Sequence, residues 1–159
     1  MIVRNPDIIG IKHIAFGVRD AEKTLEGYKQ ILGNITDAKI VTYEKSRNKV
    51  ALFKIGNIEY QLCQSLENDG RFARWISRTG NEGLHHICYE VRDIKKALEF
   101  ACSEDIKLRI CEPCQKYGAH PHPEGWVAFL EYEISGVEVE FMQVYNEQEQ
   151  KEFLKYKGI

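Results

Sequence analysis

Near the start of the chain, apolar and polar residues alternate in one register and then switch period. Ile14, Phe16 and Val18 fall on one face of an extended segment, while Ile11, His13 and Ala15 fall on the other. Asp20 then offers an N-cap, and Ala21, Leu25 and the pair Ile31 and Leu32 follow at helical spacing. Shorter β-like stretches from Lys39 to Tyr43, Lys49 to Ile55 and Ile58 to Cys63 complete the order β, α, β, β, β.

The same order then recurs. Leu84, His86 and Cys88 oppose Ile87, Tyr89 and Val91, Asp93 repeats the cap, and Ile94, Ala97, Leu98 and Ala101 mark a second helix. Strands are expected from Lys107 to Cys111, Trp126 to Glu133 and Val137 to Val144. Residues 10–26 overlay residues 83–99 at a constant offset of 73, with nine of seventeen pairs identical, which marks a duplicated supersecondary unit. The chain therefore divides into a first βαβββ module at 9–66, a linker helix at 67–82, a second module at 83–145 and a tail helix at 146–159. Phe72, Trp75 and Ile76 give the linker a packed face, and Phe153, Leu154 and Tyr156 are docking candidates in the tail. The last strands overlay at a larger offset, 56–62 on 135–141, and the extra residues fall in 117–125. The turn formers there predict an exposed loop.

Charge and cysteine usage narrow the function classes. Twenty-two Lys and Arg against twenty-four Asp and Glu leave a formal charge of −2 and no basic stripe, so nucleic acid is excluded as a partner. No apolar run approaches the ~20 residues of a membrane helix, and the opening residues lack the apolar segment of a secretory signal. A cytoplasmic protein without a membrane partner is expected. Five cysteines, an odd number, argue against a disulfide framework. Cys111 and Cys114, followed by His120 and His122, have metal-like spacing. A closed zinc site normally brings a second, well-separated ligand pair, so the expectation there is a proline-containing loop.

The chemistry sits on the polar faces of the repeated strands. Opposite Ile58, Tyr60 and Leu62 lie Glu59, Gln61 and Cys63, and opposite Val137, Val139 and Phe141 lie Glu138, Glu140 and Met142. A lone inward histidine is more often a hydrogen-bonded core residue than a ligand. The repeat changes that balance, because it puts His13 with His86 and Gln61 with Glu140 at equivalent, inward-turned positions. Two imidazoles with an amide and a carboxylate oxygen suit one divalent ion, Co, Zn, Ni, Mn or Fe. His85, on the strand face of Ile87 and Tyr89, is assigned no catalytic role. Glu59 and Glu138 read either as groups that orient ligands or as solvated carboxylates.

The segments Ile11 to Phe16, Gly56 to Leu62, Gly83 to Ile94 and Gly136 to Phe141 resemble the vicinal-oxygen-chelate superfamily over residues 9–145. The Gly83-Leu-His-His-Ile87 segment, after a helix like Arg71-Phe-Ala-Arg-Trp-Ile76, is similar to the methylmalonyl-CoA epimerase branch. The resemblance implies an α+β fold in which two tandem βαβββ modules form a cupped, open eight-stranded sheet around a metal site. It places His13, Gln61, His86 and Glu140 on metal positions, and Gly118, Ala119 and His120 on a loop near substrate. It also implies a homodimer. The implied reaction is epimerisation of a methylmalonyl-type acyl-CoA thioester by α-proton abstraction, with Glu140 as a proton carrier and the metal stabilising the enolate. The sequence departs from the branch at Lys49 to Lys54, which carries no carboxylate, so Glu131, Glu59, His120 or a metal-bound water are alternatives for the second carrier. A glyoxalase I-like lactoylglutathione lyase, an extradiol dioxygenase and a non-catalytic small-molecule-binding protein share the superfamily and remain alternatives.

Overall fold

The computed structural model describes residues 6–33 and 35–155. The elements run β1 (Ile8–Gly17), α1 (Ala21–Leu32), β2 (Lys39–Tyr43), β3 (Asn48–Ile55), β4 (Ile58–Ser65), α2 (Arg71–Thr79) and β5 (Gly83–Val91), followed by α3 (Ile94–Ser103), β6 (Leu108–Arg109), β7 (His120–His122), β8 (Gly125–Ile134), β9 (Val137–Val144) and α4 (Glu147–Lys155). Strands and helices share the chain as an α+β architecture. The described residues fall into two compact units, one within 12–87 and the other formed by those before residue 12 together with those after residue 87.

In the unit 12–87 the strand order is β2-β3-β4-β1, with β1 parallel to β4 and β3 antiparallel to both β2 and β4. One sheet face carries Ala51, Phe53 and Leu62 against Val18 and, on α1, Ala21 and Leu25. Tyr28 of α1 completes this layer, 5.3 Å from the Phe53 ring, and Tyr60 stacks on Phe53 at 5.1 Å. The other face carries Ala15, Val50 and Cys63, covered by Phe72 of α2. The expected alternation thus becomes two separate apolar layers, one under each helix.

In the other unit the order is β9-β8-β6, with the three-residue β7 paired to β8. Val91, Ala128, Leu130, Val139 and Phe141 pack with Ile94, Ala97 and Ala101 of α3. Cys88, Val127, Phe129 and Met142 form a second layer with Cys111. Phe153 of α4 stacks on Tyr145 at 5.6 Å, while Tyr156 lies outside the described residues.

Each first helix is started in the same two ways. Asp20 accepts from the Lys23 amide and Asp93 from those of Lys95 and Lys96, as expected of N-caps. A second hold comes from the sheet: Gln64 Oε1 accepts the Ala21 amide and Gln143 Oε1 the Ile94 amide, both at 2.9 Å. A strand glutamine therefore satisfies one of the helix's open N–H groups in each unit.

Two expectations are corrected. The strand expected from Lys107 to Cys111 is cut to Leu108–Arg109, because the chain turns at Cys111 and bridges back to Lys116. The loop expected to be exposed at 117–125 contains β7 and a buried His120, giving nine strands among the described residues rather than eight. Pro121 is compatible with β7 because that strand is an edge, where a missing N–H costs no ladder bond. No helix among the described residues is long and apolar enough to cross a membrane.

Candidate metal centre

Within the unit 12–87, the alternation of β1 turns His13 to the face of Ala15, opposite Phe16. The parallel register sets His13 beside Glu59 and Ala15 beside Gln61, so all four share one sheet face. His86, early in β5, meets His13 with Nε2 to Nε2 at 3.2 Å, and both residues are only 4% exposed. Metal–nitrogen bonds of about 2.0–2.1 Å spanning 3.2 Å would subtend roughly 100° at a shared ion. The pair has the spacing of two ligands on one cation.

The other nitrogen of His86 is also held. Its Nδ1 lies 2.8 Å from Nδ1 of His85, whose ring is wedged against Phe72 at 4.8 Å and Trp75 at 5.2 Å. Gly17 makes room for that wedge, since a Cβ there would stand 3.0 Å from the Trp75 ring. With the proton on His86 Nδ1 and His85 Nδ1 accepting it, the His86 Nε2 lone pair is left facing His13, which is how outer partners prepare histidine ligands. Gln61 Nε2 donates to Glu59 Oε1 at 2.8 Å, leaving the amide oxygen as its ligating atom.

In the other unit, Glu140 on β9 is 5% exposed, paired in register with Phe129 and on the strand face of Met142. Glu138, on the same face, is ion-paired to Arg109 at 3.0 Å, and the Arg109 guanidinium lies over Phe129 at 5.3 Å. Glu138 is thus engaged by a cation rather than solvated. Arg109 went unnoticed in the sequence, where a strand arginine reads as surface; only its register opposite Phe129 brings it to this face.

The remaining candidates separate. Gly118 takes a positive φ of 70°, and its carbonyl accepts from His120 Nδ1 at 2.8 Å, so this part of the segment folds inward. Glu131 is exposed on β8. In this unit His13 and His86 bring two imidazoles together and Gln61 stands on the same sheet face as His13, donors of the kind that borderline divalent ions take.

Comparison with known proteins adds the family. The model of the Glyoxalase/Bleomycin resistance protein/Dioxygenase superfamily matches residues 12–124. The mitochondrial methylmalonyl-CoA epimerase of Homo sapiens is 33% identical over 142 residues, covering 84% of this chain and 73% of that protein. An ethylmalonyl-CoA/methylmalonyl-CoA epimerase of Cereibacter sphaeroides is 31% identical over 137 residues, covering 84% and 97%. Among solved structures, the methylmalonyl-CoA epimerase from Mycobacterium tuberculosis superposes with a TM-score of 0.72 at 18% identity, over 94% of this chain and 96% of that one. That likeness establishes the fold.

Proposed function

This chain belongs to the Glyoxalase/Bleomycin resistance protein/Dioxygenase superfamily, and from that premise we propose that it epimerises a methylmalonyl-type acyl-CoA thioester, with His13, Gln61, His86 and Glu140 holding one divalent ion, Co, Zn, Ni, Mn or Fe. The observation that carries the proposal is the buried His13–His86 pair at 3.2 Å with His85 behind it. It is supported by the epimerase relatives, which match most of the chain. Glu140 enters the ligand set as the repeat counterpart of Gln61. A homodimer, which the resemblance implies, and a cytoplasmic location belong to the same proposal.

The chemistry a bound divalent cation supplies is Lewis acidity toward two neighbouring substrate oxygens, a thioester carbonyl and a carboxylate, which lowers the cost of charge developing on them. His13 and His86 would hold such an ion through imidazole nitrogens. His85, its Nδ1 accepting the His86 Nδ1 proton, keeps His86 in the tautomer whose Nε2 is unprotonated. Glu140 takes the α-proton as a carboxylate, converting the thioester to its enolate and itself to the acid. Return of a proton to the opposite face of the α-carbon falls to a second carrier, and Glu59 is the candidate on the His13 face. One proton leaves and one returns, so the reaction is redox-neutral and inverts a single centre.

The experiment follows interconversion of the two methylmalonyl-CoA epimers by metal-loaded protein. We expect turnover in the wild type, loss by at least about 100-fold in His86→Ala, and in Glu59→Gln loss of interconversion with retained proton exchange on one epimer. Full interconversion by the His86→Ala variant would remove the metal-centred reading. Unchanged interconversion in Glu59→Gln would remove Glu59 as the second carrier.

A further inference from the structure

The segment from Cys111 to His122 reads in sequence as a proline-containing loop, yet it folds around its sulfur and nitrogen atoms. Cys111 N–H donates to Lys116 O at 2.8 Å and Gln115 N–H to Cys111 O at 2.7 Å, closing a tight turn in which Gln115 takes a positive φ of 54°. The turn brings Cys111 and Cys114 together. Downstream, β7 presents His120 and His122 on one side and Pro121 on the other, and its register with β8, His120 to Val127 and His122 to Gly125, fixes both imidazoles. On the other side of β8, Gly125 lets β9 approach closely, since a Cβ there would meet Gln143 O at 2.4 Å.

One ligand atom from each of Cys111, Cys114, His120 and His122 lies within 4.8 Å of every other. His122 Nε2 stands 3.7 Å from both sulfurs. For zinc bonds of about 2.3 Å to sulfur and about 2.0–2.1 Å to nitrogen, the edges of a tetrahedron are about 3.5 Å between sulfur and nitrogen and about 3.8 Å between sulfurs. The two sulfur–nitrogen spacings at His122 are within a few tenths of an ångström of the corresponding edge.

His120 supplies the independent sign of a ligand. Its Nδ1 is 2.8 Å from Gly118 O, so the ring proton sits on Nδ1 and donates to that carbonyl, leaving Nε2 as a lone pair. That Nε2 is buried without a hydrogen-bond partner, on a residue 2% exposed. A buried acceptor without a partner is uncommon, and an imidazole whose other nitrogen is held by a carbonyl is prepared for a metal. Neither cysteine is in a disulfide.

We propose that Cys111, Cys114, His120 and His122 bind one zinc ion as a closed structural site, separate from the ligand set of the proposed reaction. Two thiolates and two imidazoles fill the tetrahedron and leave no position for substrate. The ion ties the Cys111 turn to β7, and through Cys111 it anchors the layer of Val127, Phe129 and Met142 on the sheet face that also carries Glu140. The segment 117–125, where the extra residues of the second module fall, thus has a structural use: it carries half of the proposed zinc ligands.

Cobalt substitution tests the site without reference to activity. Reduced, folded protein reconstituted with Co(II) is expected to show a near-ultraviolet thiolate-to-cobalt charge-transfer band together with intense tetrahedral visible bands. The thiolate band should persist in the His13→Ala/His86→Ala variant and vanish in Cys111→Ser/Cys114→Ser. Should the serine variant fail to fold, His122→Ala serves: it should lose one equivalent of tightly bound zinc per chain. Absence of a thiolate band in folded wild-type protein, or its survival in the cysteine variant, overturns the proposal. So does a Cys111–Cys114 disulfide in protein purified anaerobically, which would make the pair a redox couple.

Discussion

At the scale of single residues, His85 shows how far strand alternation can be read. Alternation fixes where a Cβ points, and on that basis His13 and His86 were found and His85 was set apart. It does not fix where a rotatable ring ends, and the His85 ring reaches His86 Nδ1 at 2.8 Å while packing on α2. His85→Phe should keep the contacts with Phe72 and Trp75 and remove only the nitrogen partner. Metal affinity is expected to fall by about 10–100-fold, measured by chelator competition, with the melting temperature of metal-free protein little changed. An equal loss of apo stability and no change in affinity would make His85 a packing residue. Glu138 and Arg109 show the converse limit: their pairing depends on the β6–β8 register, which no local pattern in Leu108–Arg109 specifies.

Elements were most legible where a period ran long. The two N-capped helices and the alternating strands on either side of each were readable because their apolar positions recur over several turns or pleats. The short pieces were not. β7 spans three residues, contains a proline and is held by β8 rather than by its own propensity. The aromatic layer under α1 carries two predictions. Phe53, 2% exposed and in ring contact with Tyr28 and Tyr60, should cost about 3–5 kcal/mol when replaced by Ala, measured by denaturant unfolding. Burial, and secondarily the neighbouring Tyr60, raises the Tyr28 pKa above its ordinary value of 10.0. The native state therefore holds this proton more tightly than the unfolded chain, so the contribution is fully present below pH 10.0 and is lost as pH rises through the raised pKa. Tyr28→Phe should flatten the alkaline limb of the stability profile; an unchanged limb would exclude Tyr28 as its cause.

For the whole molecule, the repeat was the most informative signal, and its marks recur in places the sequence reading did not single out. Gln64 and Gln143, counterparts in the two last strands, each hold the first amide of a helix, Ala21 and Ile94. The candidate ligands are counterparts in the same way, which is why pairs of residues that are individually ambiguous acquire meaning together. The proposed function draws on the differences between the copies: an amide at Gln61 against a carboxylate at Glu140, and a Cys-His segment present in one copy only. The central claim is that a metal-dependent α-proton transfer occurs here. Its most direct test is incubation of methylmalonyl-CoA with protein in deuterium oxide, with and without one stoichiometric divalent ion at the His13–His86 centre. We predict one deuteron incorporated at the α-carbon and scrambling of the two epimers, both abolished by removing that ion. Absence of exchange by folded, metal-loaded protein would contradict the account.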